Sequence, residues 1–112
     1  MSNPDDAVFS TLVSSGLPGT KYAYPIGGAP PLPWFTYKRR KGGEVHADDT
    51  NYTRMFRYQV DLYQAEPDDD VRDAFEETLL RLGPFDSHEV WIPTENCWET
   101  SYTLTYHHTI PE

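Results

Sequence analysis

Apolar and polar positions alternate most regularly between Tyr52 and Tyr63. Phe56, Tyr58, Val60 and Leu62 fall on one side of an extended chain, and Arg57, Gln59, Asp61 and Tyr63 on the other. Strand side chains point alternately to opposite faces, so this stretch predicts a half-buried β-strand. Trp98, Thr100, Tyr102, Leu104 and Tyr106 alternate with Glu99, Ser101, Thr103, Thr105 and His107 in the same way. They predict a long last strand over 98–109. Trp34–Lys38 has strand composition. Tyr22–Tyr24 and Val90–Ile92 predict shorter strands, the latter ended by Pro93.

Two segments change to helical spacing. Val8, Phe9, Leu12 and Val13 share one face of a short helix that Asn3 can cap, with Pro4 at its first position and Asp5 and Asp6 at the positive end of its dipole. Gly16 is placed to end it, with Leu17 folding back and Pro18 preventing continuation. Val71, Ala74, Phe75, Thr78, Leu79 and Leu82 form the stripe of a second helix. Asp68, Asp69 and Asp70 suit its positive end, and Gly83-Pro84 stops it. Residues 18–33 hold five of the ten prolines, and Pro30-Pro31-Leu32-Pro33 forms a stiff extended lead-in to the strand at Trp34. Lys41-Gly42-Gly43 and Asp48–Asn51 read as turn and loop.

The element order is α-β-β-β-α-β-β. Consecutive strands favour antiparallel pairing. Two one-sided helices can cover one face of such a sheet, giving a two-layer α+β domain over 1–112 with four to five strands. The opposite face carries Thr, Ser, Gln, Tyr and charged residues and is either solvated or a polar interface.

Composition narrows the function. The 112-residue chain has a net charge of -9, which argues against general nucleic-acid binding because that needs a basic footprint. Charge is also segregated: residues 1–60 hold seven basic and five acidic side chains, and residues 61–112 hold two and thirteen. No run of apolar residues is long enough for a membrane span. The polar, acidic start does not read as a signal peptide. One cysteine, Cys97, excludes an internal disulfide and the multi-cysteine zinc sites, which fits a reducing compartment.

Candidate chemistry is sparse. His107 and His108 are adjacent on a strand and so point to opposite faces, and His46 with Asp48 or Asp49 has no ligand spacing. No metal is expected. Cys97 lacks a nucleophile signature and reads as a small filler at a strand start. There is no phosphate loop and no Gly-x-Ser-x-Gly elbow. Asp68, Asp69, Asp70, Glu76 and Glu77 lie on helix ends or outer faces. No enzyme, cofactor or catalytic residue is expected. Lys38, Arg39, Arg40 and Lys41 form the one basic cluster, beside Trp34, Phe35 and Tyr37.

Several short motifs follow one another in order. These are Leu-Pro-Trp-Phe-Thr-Tyr (32–37), Ala-Asp-Asp-Thr-Asn-Tyr (47–52) and Tyr-Gln-Val-Asp-Leu-Tyr (58–63). The acidic helix, Val-Trp-Ile-Pro-Thr-Glu (90–95) and Trp-Glu-Thr-Ser-Tyr-Thr-Leu (98–104) complete the set. Across about residues 20–106 this resembles the small tail-completion or tail-terminator proteins of long-tailed bacteriophages. The resemblance implies an α+β virion subunit without catalytic residues. Its copies form a hexameric ring that caps the tail tube and joins it to the head-side connector, after assembly in the host cytoplasm. The implied partners are further copies of the chain, the tail tube protein and the connector or head-closure protein, with no membrane and no sequence-specific nucleic acid. Another neck component and a nucleic-acid-mimicking inhibitor are the alternatives. In a head-to-tail ring, Lys38, Arg39, Arg40 and Lys41 on a hairpin arm are expected to meet Asp68, Asp69, Asp70, Glu76 and Glu77 of the next copy.

Overall fold

The computed structural model describes residues 3–40, 45–46 and 53–109. Its elements are helix α1 (Pro4–Val13), strands β1 (Gly19–Lys21), β2 (Trp34–Arg39), β3 (Val45–His46) and β4 (Thr53–Gln64), helix α2 (Asp69–Leu80), and strands β5 (Phe85–Ile92) and β6 (Cys97–Thr109). The sheet runs β1-β2-β4-β6-β5, with the two-residue β3 beside β4. Among the described residues only β1 and β2 pair in parallel; the other pairs are antiparallel. Both helices lie on one face, so the fold is a two-layer α+β sandwich in the expected element order, with the two-residue β3 as an addition before β4.

Both helices start where their sequences provide a cap. The Asn3 side chain accepts the Asp5 N–H at 2.8 Å, and Pro4 occupies the first turn, where no N–H bond is needed. The Asp68 carboxylate accepts the N–H groups of Asp70 and Val71 at 3.0 and 3.2 Å. After α2 the chain turns at Gly83, with φ at +157°, pressed against β6. A Cβ there would lie 1.9 Å from the carbonyl oxygen of Thr105, a clash that only glycine avoids.

The core sits between the helices and one face of the sheet. Phe56, Tyr58, Val60 and Leu62 of β4 face it with Tyr102 and Leu104 of β6, Phe35 and Tyr37 of β2, and Phe75, Leu79 and Leu82 beyond. An aromatic row crosses the layer: Phe9 to Phe35, Phe35 to Phe75, Phe75 to Tyr102 and Tyr102 to Phe85, with ring centroids 5.3–6.3 Å apart. Such tilted and edge-on pairs add to the burial energy of each ring. The β4–β6 ladder pairs Thr53 with Thr109 through to Gln64 with Trp98. It outruns both neighbours, because β2 reaches only Tyr58 and β5 only Leu104.

Several local expectations are corrected. The first strand is Gly19–Lys21, not Tyr22–Tyr24. Tyr22 has φ of +67°, which ends the strand, and Tyr24 packs edge-on against Trp34 at 5.0 Å. The fourth strand of the expected order begins at Phe85, five residues before Val90. Val13 and Ala74 fall on their apolar stripes yet are exposed, because both helices meet the sheet along a narrower line than the stripes span. The second face of the sheet is partly shielded: Thr36 and Asp61 are buried, and Asp61 accepts from Gln59 Nε2 at 3.1 and 3.3 Å.

Candidate functional site

Lys38 and Arg39 belong to β2, opposite Gln59 and Tyr58, and the Arg40 N–H continues the ladder by donating to the Arg57 carbonyl at 2.8 Å. These three therefore lie at a sheet edge rather than on a projecting arm. Lys41 lies outside the described residues. Alternation sends Lys38 to the open face and Arg39 to the helix face. There Arg39 lies over the Phe56 ring at 4.8 Å and donates to Asp5 through Nε at 3.1 Å and Nη2 at 2.9 Å. Lys21 reaches the same carboxylate at 2.7 Å, and the Tyr58 hydroxyl donates to it as well.

Asp5 thus joins α1 to β1, β2 and β4. Partial burial would raise its pKa, but the hydrogen bonds from Lys21, Tyr58 and Arg39 outweigh it and hold the carboxyl down at about 2. Burial, then the Asp5 carboxylate, pushes the Tyr58 phenol well above its ordinary range, so it remains a donor. Sequence reading gives Asp5 a role only in the helix dipole. A positional signal for its pairing with Arg39 is lacking, because 34 residues separate them.

The acidic residues group on α2. Asp68 is consumed as the cap. Asp69 accepts from Arg72 at 2.6 Å, and Arg72 also reaches Glu89 of β5 at 3.2 Å and Glu76 at 4.0 Å. Glu76 accepts the Tyr102 hydroxyl at 2.9 Å. Asp70 and Glu77 are exposed. Asp73 is exposed too and shares the helical stripe of Asp69 and Glu76, one turn from each. Together with Asp86 and Glu89 on β5, these side chains make one flank of the domain acidic. The opposite flank carries Lys21, Lys38, Arg39 and Arg40. Asp73, Asp86, Glu89 and Lys21 were not singled out from the sequence, because only the sheet order brings them to the two edges.

At one end of the open face, the proline-rich segment 22–33 and the β5–β6 turn border a cleft of about 830 Å³. Trp34 packs against Tyr63 at 4.5 Å in its wall, with Tyr24, Leu32, Ile92 and Glu95 around them. Beside it the Tyr63 hydroxyl donates to Glu99 at 3.0 Å. Burial, and then the charge of Asp61, raises the Glu99 carboxyl above its ordinary value. Cys97 is buried at the start of β6. Burial and the charges of Glu95 and Glu99 raise its thiol, which suits a packing role better than a nucleophilic one. His108 is buried beside Tyr106 and His107 is exposed, on opposite faces of β6.

Among the described residues, no three His, Cys, Asp or Glu side chains converge on a metal position. No described helix is long and apolar enough to cross a membrane. No protein-family model matches the chain, and no curated protein is similar to it in sequence.

Proposed function

We propose that the chain is a non-enzymatic virion subunit that resembles phage tail terminators, building a ring that caps the tail tube and joins it to the head-side connector. The observation that carries this reading is the polarity of the sheet. One free edge, at β1 and β2, is flanked by Lys38 and Arg40, which have no ion-pair partner among the described residues, while Lys21 and Arg39 are held by Asp5. The other, at β5, is flanked by Asp86, Glu89 and the acids of α2. A head-to-tail ring needs two different, complementary surfaces on each copy, and opposite charge on opposite edges supplies them. The ordered sequence motifs support the same reading independently. Exposed charge pairs contribute only about 0–1 kcal/mol each, so they set register while apolar and backbone contacts close the ring.

The test is electron microscopy and native mass spectrometry of the purified chain, alone and with a long-tailed-phage tail tube protein. Closed rings of the chain, or rings seated on tube ends, are expected. Lys38→Glu with Arg40→Glu should reduce ring formation without unfolding the subunit, because neither side chain has an ion-pair partner among the described residues. A chain that stays monomeric under all these conditions would refute the reading.

A further inference from the structure

The edge at β5 has features that charge alone does not explain. It is eight residues long, contains neither proline nor lysine, and six of its residues are exposed, including Val90 and Trp91. No described element covers it. Free edges of this length are usually blunted, because a row of unpaired N–H and C=O groups recruits another strand.

The direction of those groups can be worked out. The Thr105 N–H donates to the Pro84 carbonyl at 3.0 Å, and Phe85 lies opposite Leu104. Antiparallel pairs alternate, so Asp86, His88 and Val90 turn their main-chain groups toward β6. Phe85, Ser87, Glu89 and Trp91 turn theirs outward. On the other edge, the Phe35 N–H donates to Pro18 and the Tyr22 N–H to the Tyr37 carbonyl. Thr20 therefore faces β2, while Gly19 and the Lys21 N–H turn outward; the Lys21 carbonyl accepts the Ala23 N–H at 2.9 Å.

Resting on the ring reading above, we infer that β5 takes the β1 edge of a second copy as an added strand, so that one sheet continues across the subunit boundary. Charge selects this occupant. A β5–β5 contact would bring two acidic flanks together, and a β1–β1 contact two basic ones. A β5–β1 contact sets the flank of Lys38 and Arg40 in one copy against Asp86 and the outer acids of α2 in the other. Main-chain pairing supplies the affinity and these side chains the order, as in other cases of strand addition.

Two variants test it. In Ser87→Pro the missing N–H is an outward one, so the ladder to β6 stays complete and the edge position tolerates proline. The expected result is an unchanged far-ultraviolet spectrum with association weakened at least about tenfold in sedimentation. The second test uses oxidative cross-linking. Thr20 and His88 both point to the open face and turn their main chains away from the new boundary, so Thr20→Cys with His88→Cys should give a ladder of covalent oligomers, while each single variant stays uncross-linked; Cys97 is buried and does not interfere. Closed rings that persist in Ser87→Pro would leave the ring reading standing and overturn the strand pairing. Covalent dimers from His88→Cys alone would overturn it in favour of a two-fold β5–β5 contact. Absence of both rings and cross-links would overturn the two readings together.

Discussion

Asp5→Asn tests how far one carboxylate fastens α1 to the sheet. The native carboxyl sits at about 2 instead of the ordinary 3.8, held there by Lys21, Tyr58 and Arg39 against the effect of burial. That difference corresponds to at most about 2.5 kcal/mol, at about 1.4 kcal/mol per tenfold change in proton affinity. The Lys21 and Arg39 side chains are 41% and 37% exposed, so solvent screens both pairs and about 1–2 kcal/mol is the expected share. The sign follows from proton linkage. A depressed carboxyl stabilises the fold above its unfolded pKa, and this contribution is lost as pH falls from about 5 through 2. Urea unfolding of the native chain and Asp5→Asn at intervals between pH 7 and pH 2 measures it. The variant should be less stable at pH 7 by about this amount, and the difference should shrink on acidification. Two curves separated by a constant offset down to pH 2 would show that the Asp5 charge contributes nothing and that α1 is held by Val8, Phe9 and Leu12 alone.

Phe75→Ala should cost about 3–5 kcal/mol, because the ring is fully buried between Phe35 and Tyr102; denaturant unfolding at low protein concentration reads it, and a loss below about 1 kcal/mol would contradict that packing. Thr100→Val should stabilise the chain by about 0.5–2 kcal/mol, since the buried Thr100 hydroxyl has no hydrogen-bond partner among the described residues; a loss of similar size in thermal unfolding would mean the hydroxyl is paired. Gly83→Ala should destabilise by more than about 3 kcal/mol or prevent folding, because its Cβ collides with the Thr105 carbonyl; a native-like melting temperature would refute the close approach.

The two long strands and both helices were legible because their signals are local. A period of two over Phe56–Leu62 and Trp98–Tyr106, and the caps at Asn3 and Asp68, need no knowledge of the rest of the chain. The misplaced first strand shows the limit. Tyr22-Ala23-Tyr24 has better strand composition than Gly19-Thr20-Lys21, yet the latter pairs with β2. Gly19 can lie against the Phe35 ring, where a Cβ would come within 2.3 Å of ring carbons. Composition ranks the aromatic segment higher, while tertiary contact selects the smaller one. The start of β5 was missed for a related reason. Asp86, Ser87, His88 and Glu89 show no apolar alternation, because an edge strand with both sides wet has little to bury.

The candidate surfaces were legible in kind but not in arrangement. The segregation of charge between the two halves of the sequence is plain, and it reappears as two flanks of the sheet because β1 and β2 come from the first half and α2 and β5 from the second. What the sequence hides is which charges are already used. Arg39, Asp68, Asp69 and Glu76 each have a partner inside the chain, so they hold the subunit together before any neighbour arrives. Lys38, Arg40, Asp70, Asp73 and Glu77 have no ion-pair partner among the described residues. Reversing Arg39 would break the Asp5 contact and confuse loss of fold with loss of assembly, whereas reversing Lys38 and Arg40 separates them. The same logic applies on the other flank: Arg72 draws Asp69, Glu76 and Glu89 inward, and an approaching copy meets mainly the outer acids and the bare main chain of β5.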